Sequence, residues 1–347
     1  MRIDELEEIA TRCLPPEVSE YFRQGAFAGL TTSAAPGAWD RLRLRPRVLR
    51  DVSSVSTATN VLGHEVATPI MVAPTALQRG AHPEGEVATA RAVAAAGSLM
   101  TVSSNSGSTF EDIAATGAQW WLQVYIRRDR GLTNAMLQRA RAAGATALVL
   151  TADTPVVGYK WNAGLSAYDV IPAEFQRVNI DAAGLPDSAM DHADDLTPDD
   201  IGWLHDITGL PVIVKGVLRE DDARTVAAAG AVAVWVSNHG GRQLDQSITT
   251  AEALPGVVAA LSDTSAEVYV DGGIRRAEHV LAALSLGAKA VFLGRPVLWA
   301  LAAGGDLHQG GCAGVAGLLT ELTRDLAHVM RVAGARHTAE LTPDLVG

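Results

Sequence analysis

Cysteine is scarce in this 347-residue chain, with only Cys13 and Cys312. Two cysteines so far apart make no disulfide framework and no metal-ligand spacing, so a disulfide scaffold and a zinc module are both set aside. None of the nine histidines pairs at metal-site spacing either, and no metal is expected. A basic excess is missing: the net charge is −11. That argues against a nucleic-acid surface or an anionic membrane surface as partner, and an anionic substrate would need a locally basic pocket. No apolar stretch is long enough to span a bilayer. Residues 1–8, M-R-I-D-E-L-E-E, carry acids where a secretion signal needs an uncharged apolar run, so a cytoplasmic setting is expected. Aromatics amount to 5%, whereas hydrophobic residues reach 48% and small ones dominate, as in tightly packed α/β proteins.

What is present is a rhythm. Short apolar runs at 70–73, 99–103, 120–125, 147–151, 211–215, 231–236, 268–270 and 290–293 read as buried strands. Between them lie alanine-rich helical stretches at 84–95, 108–115, 130–143, 198–207, 220–229, 250–261 and 276–286. Several open after Ser, Thr or Asp and close on Gly, as capping chemistry favours. Eight strands alternating with helices predict a (β/α)8 TIM barrel, one domain over residues 1–347. An open doubly wound sheet is the weaker alternative, because no G-x-G-x-x-G follows the first strand. Residues 1–65 form an extension ahead of the barrel. Positions 3–25 read as helical, and 41–52, alternating basic and apolar residues, reads as a peripheral strand with a solvated basic face. The connection at 155–197, after the fourth strand, is too long for an ordinary loop and reads as an active-site loop or lid.

In such a barrel the site lies at the C-terminal strand ends. Those ends supply Thr75 and Ala76, Ser103 and Asn105, Gln123 and Tyr125, Thr151 and Asp153, and Lys215. The sixth supplies Ser237, His239 and Arg242, the seventh Asp271, Gly273 and Arg275, and the eighth Gly294 and Arg295. His239 is suited to proton transfer near neutral pH, and Arg242 offers a planar fork for a carboxylate. Glycine amides with Arg275 and Arg295 after the last two strands match the phosphate site of this fold. Lys215 ends an apolar strand, where a cation needs a partner; a cofactor ring or an ion pair with Asp153 or Asp271 would serve. The remaining histidines look less promising: His205, His279 and His328 fall in helices, His64, His192, His308 and His337 in loops, and His82 before a helix.

S-N-H-G-G-R-Q-L-D at 237–245, P-V-I-V-K-G at 211–216, V-D-G-G-I-R-R at 270–276 and L-G-R-P at 293–296 occur in this order with A-P-T-A at 73–76 and A-H-P-E-G-E at 81–86. Together they resemble the FMN-dependent α-hydroxy-acid oxidase and dehydrogenase family, which includes glycolate oxidase, lactate oxidase and mandelate dehydrogenase. The resemblance runs from about residue 14 to the final helix. It implies a barrel enzyme that oxidises an (S)-2-hydroxy acid to a 2-oxo acid with FMN as cofactor. It also implies His239 as base, Asp153 as the acid orienting it, and Arg242, Tyr21 and Tyr125 on the substrate. Lys215, Thr75, Ala76, Ser103, Gln123, Thr151 and Ser237 would contact the flavin ring or ribityl chain. Asp271, Gly273, Arg275, Gly294 and Arg295 would hold the phosphate end.

Two positions depart from the family pattern. Gly158-Tyr159-Lys160 stands where a Gly-x-Arg usually supplies a second carboxylate-binding arginine, followed by Asn162-Ala163-Gly164 in place of a usually charged segment. Lys160 keeps the charge without the fork. Asn105 stands where glycolate-type oxidases carry an aromatic residue. Both bear on substrate choice, and a bulky aryl or biosynthetic-pathway substrate is the alternative. Alanine at 76 accompanies oxygen use in the family, so oxygen is the expected acceptor, giving hydrogen peroxide; a dehydrogenase using another acceptor is the alternative. Relatives are often tetramers, and a homotetramer is expected.

Overall fold

The computed structural model describes residues 3–161, 167–303 and 310–347. Asn162-Ala163-Gly164 and His308 lie outside the described residues. Eight parallel strands close into a barrel: β1 (Ile70–Val72), β2 (Leu99–Val102), β3 (Gln119–Val124), β4 (Leu148–Thr151), β5 (Val212–Val217), β6 (Ala233–Val236), β7 (Glu267–Asp271) and β8 (Ala290–Leu293). β8 pairs with both β7 and β1, so no edge is left open. Helices alternate with the strands within a residue or two of the expected places, among them Gly85–Ala96, Arg130–Ala142, Glu220–Ala228 and Thr250–Ala260. Among the described residues no helix is long and apolar enough to cross a membrane.

Successive side chains of a strand point to opposite faces, and this period explains where the site forms. The outward row, such as Val72, Met100, Leu122, Leu150 and Val214, packs under the helices. The inward row changes character along five of the strands: Trp121 is followed two residues on by Gln123, Val149 by Thr151, Ile213 by Lys215, Trp235 by Ser237 and Tyr269 by Asp271. The N-terminal half of the barrel is therefore plugged by rings, with Trp235 and Phe292 centroids 3.8 Å apart and Trp121 and Tyr269 alongside. The C-terminal half is polar and opens into a cleft.

Residues 41–52 form no strand, which corrects the sequence reading. This segment runs against the C-terminal tail instead: Arg45 N–H donates to Leu345 O at 2.8 Å, and Arg47 reaches Glu340 O and Asp344. Its basic residues anchor the tail. A short antiparallel hairpin, Thr59–Val61 with His64–Val66, follows. Residues 3–25 form two helices, Ile3–Cys13 and Pro16–Arg23. A third helix, Leu30–Asp40, lies where no clear periodicity points to one, with Pro36 in its interior.

Candidate active site

β6 ends at Val236, and the chain turns sharply through His239–Gly241. All three residues take positive φ, +57°, +63° and +74°. At Gly241 a Cβ would sit 2.4 Å from Thr32 Oγ1, so only glycine fits. His239 is not a glycine, and its left-handed backbone costs about 1 kcal/mol. Its surroundings hold it there: its own N–H donates to Ser237 Oγ at 3.1 Å, and Asn238 Oδ1 accepts from Gly241 N at 3.2 Å.

The His239 ring is pinned on both sides. Nδ1 lies 2.9 Å from Asp153 Oδ1, and Nε2 lies 3.3 Å from the Tyr125 hydroxyl. Burial alone would raise the Asp153 pKa; the charge and hydrogen bond of His239, with Lys215 and Thr154, outweigh it and hold the carboxyl below its ordinary value. An ionised Asp153 only accepts, so the neutral imidazole carries its proton on Nδ1 and leaves the Nε2 lone pair toward the cleft. Burial, then Asp153 and Tyr21, push the Tyr125 phenol above its usual range, so it stays a neutral donor. Asp153 is itself placed by a bulge in β5: Gly216 has φ +105°, and a Cβ there would lie 2.6 Å from the Asp153 carboxyl carbon.

Arg242 stands across the same cleft. Its Nη1 is anchored by Tyr21 O at 2.7 Å and Gln24 O at 2.9 Å, and its guanidinium lies 5.0 Å from the Tyr21 ring centroid. Among the described residues nothing engages Nε or Nη2, which suits a bidentate carboxylate. Burial, then Tyr168, raise the Tyr21 hydroxyl to about 12. Lys160 does not line the cleft. Its ammonium donates to the Arg242 backbone carbonyl, and burial beside Arg242 and Arg295 lowers its pKa to about 8.

The cleft holds about 1040 Å³, its open mouth included. Along its floor Lys215 Nζ is buried against Asp271 Oδ2 at 3.1 Å and Ser237 Oγ at 2.9 Å, so the ion pair weighed from sequence forms with Asp271. Gln123 bridges Thr151 Oγ1 at 2.9 Å and Ser103 Oγ at 3.3 Å. Thr75 and Ala76 form the neighbouring wall, and Gly273, Gly294, Arg275 and Arg295 the far end. Arg295 donates to the carbonyls of Phe22, Gly240 and Gln24 and, among the described residues, forms no ion pair. Burial, then Arg242 and Arg275, lower its pKa to about 9. Beside it, the Arg295–Ala302 helix starts at Gly294 with no side-chain cap. Two buried arginines at an uncapped helix start, with Glu7 acting on both from the far side, suit an anion on the cleft side.

Three further residues belong here that the sequence reading passed over. His192, set aside as a loop residue, stacks on Tyr125 with centroids 4.4 Å apart. Burial, then Arg127, lower its pKa to about 4, so it is neutral. Arg127 is 2% exposed and donates to Asn105 Oδ1 at 2.6 Å. Glu86 is buried and accepts from Gly107 N and Ser108 Oγ, bracing the loop that carries Asn105. The signal for Arg127 was faint: in I-R-R-D-R at 126–130 nothing marks one arginine as buried.

Residues 10–347 match a protein-family profile described as FMN-dependent dehydrogenase. The chain is 39% identical to an L-lactate oxidase from Nostoc sp. over 97% of this chain and 95% of that protein. It is 41% identical to glycolate oxidase 1 of Zea mays over 97% of this chain and 93% of that protein. Among solved structures, mandelate oxidase with (S)-4-hydroxymandelic acid superposes with a TM-score of 0.90 at 36% identity, covering 100% of this chain and 98% of that one.

Proposed function

This chain belongs to the FMN-dependent dehydrogenase family, and on that premise we propose that it oxidises a 2-hydroxy acid to a 2-oxo acid, with FMN as cofactor and oxygen as acceptor. The observation that carries this is the Nε2 of His239, backed by Asp153 and beside the Tyr125 hydroxyl, opening on the same cleft as the unengaged edge of Arg242.

The residues present fit FMN. Arg275, Arg295, Gly273 and Gly294 supply a site for its phosphate at the far end of the cleft. Lys215, Gln123, Thr151 and Ser103 line the floor for a flat polar ring, with Thr75 and Ala76 at its side and Ser237 and Asp271 behind Lys215. When bound, FMN supplies a two-electron acceptor. Arg242 and Tyr21 fix the substrate carboxylate. His239 Nε2 takes the proton that leaves the substrate, and Asp153 stabilises the imidazolium so formed. The Tyr125 hydroxyl donates toward the substrate oxygen. Overall the C2–H and O–H bonds break, C2=O forms, and oxygen gains two hydrogens as hydrogen peroxide.

Anaerobic mixing of the FMN-loaded protein with (S)-2-hydroxy acids is expected to bleach the flavin, and air is expected to restore it with one peroxide per turnover. No bleaching by any 2-hydroxy acid would remove the proposal. Bleaching without peroxide would replace oxygen by another acceptor. The same reading includes a cytoplasmic homotetramer, the assembly supported by an exposed aromatic rim of Phe27, Tyr159 and Trp161; light scattering of a monomer would reject the assembly.

A further inference from the structure

One wall of the cleft carries charge that oxidation of a simple alkyl or aryl hydroxy acid does not require. Arg127 is buried, its Nη1 held by Met190 O at 2.9 Å and its Nη2 by Asn105 Oδ1 at 2.6 Å, while its Nε has no partner. Among the described residues it forms no ion pair. The acidic run nearby points elsewhere: Asp194 pairs with Arg128 at 3.7 Å and Asp195 with Arg130 at 3.8 Å. A second cation, Arg177, lies close enough to lower the Arg127 pKa further, after burial. Arg177 also has a buried Nε without a partner, and its guanidinium lies 5.1 Å from the Tyr168 ring centroid. Tyr168 packs edge-on against Tyr21, which lies under Arg242. Among the described residues neither arginine forms an ion pair, so positive charge stands behind this wall, and a buried cation left uncompensated is unfavourable.

Asn105 transmits that charge to the cleft. Arg127 holds its carbonyl oxygen, so the amide orientation is set, and Nδ2 is left as a donor on the cleft wall with no partner among the described residues. A donor polarised by a cation behind it favours an anionic acceptor. An apolar substrate side chain would leave it unsatisfied. The wall is also close to the reacting position: the Arg127 guanidinium is 6.0 Å from the ring centroid of Tyr125, whose hydroxyl touches His239.

We infer that this enzyme selects short 2-hydroxydicarboxylates, Arg242 holding the carboxylate beside the hydroxyl carbon and Asn105, backed by Arg127, receiving the second. The inference rests on the proposed 2-hydroxy-acid oxidation; the electron and proton balance is the one given there, and the second carboxylate leaves unchanged.

The test uses FMN-loaded protein under anaerobic conditions. (S)-malate and (S)-2-hydroxyglutarate are compared with (S)-2-hydroxybutyrate and (S)-2-hydroxyvalerate, by rate of flavin bleaching over Kd. The dicarboxylates are expected to win by tenfold or more. Arg127→Met is expected to cut that ratio at least tenfold, and Asn105→Asp, which puts a carboxylate on the wall and keeps Arg127 paired, to reverse it. Binding of 2-oxoglutarate against 2-oxovalerate, read by calorimetry, should follow the same order. If Arg127→Met does not fold, Asn105→Asp and the calorimetry still decide. Monocarboxylates bleaching as well as dicarboxylates would overturn the inference and leave the proposed oxidation standing. Bleaching by neither class would overturn the inference, and the proposed oxidation falls with it when glycolate, lactate and mandelate fail to bleach the flavin too.

Discussion

His239→Gln is expected to slow flavin reduction by about 10²–10⁴-fold, the range for removing a positioned general base, while the protein keeps its FMN. Glutamine retains a polar side chain but cannot take a proton at neutral pH. Retention of FMN is expected because the phosphate end is built by Arg275, Arg295 and the glycine turns, on other strand ends. Anaerobic stopped-flow mixing reads the rate and the absorption spectrum reads the cofactor. A variant that still reduces its flavin quickly would remove His239 as the base. Asp153 should contribute no acid limb to the pH profile near its ordinary pKa. That carboxyl is held below its ordinary value, so its contribution is present above the unfolded pKa and is lost only as pH falls through the depressed folded one. The aspartate therefore stays ionised through the mildly acidic range in which an imidazole titrates.

Lys215→Met is expected to produce the largest loss of stability. The Lys215–Asp271 side chains are 5% and 8% exposed and lie 3.1 Å apart. Removing one partner of a buried pair strands the other, at about 3–5 kcal/mol. The double variant Lys215→Met with Asp271→Asn is expected to recover much of that loss, because no bare carboxylate remains. Urea unfolding midpoints of the three proteins check this. A single variant within about 1 kcal/mol of the parent, a usual bound for an exposed pair, would mean that water screens the pair. A double variant no better than the single would show that the loss comes from packing.

The eight strands and most intervening helices were legible because both signals are local. Apolar runs of three to six residues and capped alanine-rich stretches are written in adjacent positions. The barrel then brings Thr75, Gln123, Lys215, His239, Arg242 and Arg295 to one cleft, because all of them sit at C-terminal strand ends. The helix at Leu30–Asp40 was not legible. Its Thr-Thr-Ser and Pro36 are poor helix formers, and it is held from outside: Asp245 accepts from Thr31 N at 2.9 Å, and Trp39 Nε1 donates to Gly272 O at 2.7 Å. The segment at 41–52 misled for the same reason, since its alternation serves the tail it lies against and not a sheet.

By itself the sequence determined the barrel, the cleft at its C-terminal mouth and the family of chemistry, since period, caps and motif order need no knowledge of distant neighbours. Only the tertiary structure decided that Lys160 turns to the Arg242 carbonyl and that Arg127, buried and without an acid among the described residues, stands behind Asn105. Whether an arginine faces water, an acid or a substrate depends on residues 60 or more positions away, such as Met190 beside Arg127. That charge balance is set by long-range packing, and it bears directly on the substrate.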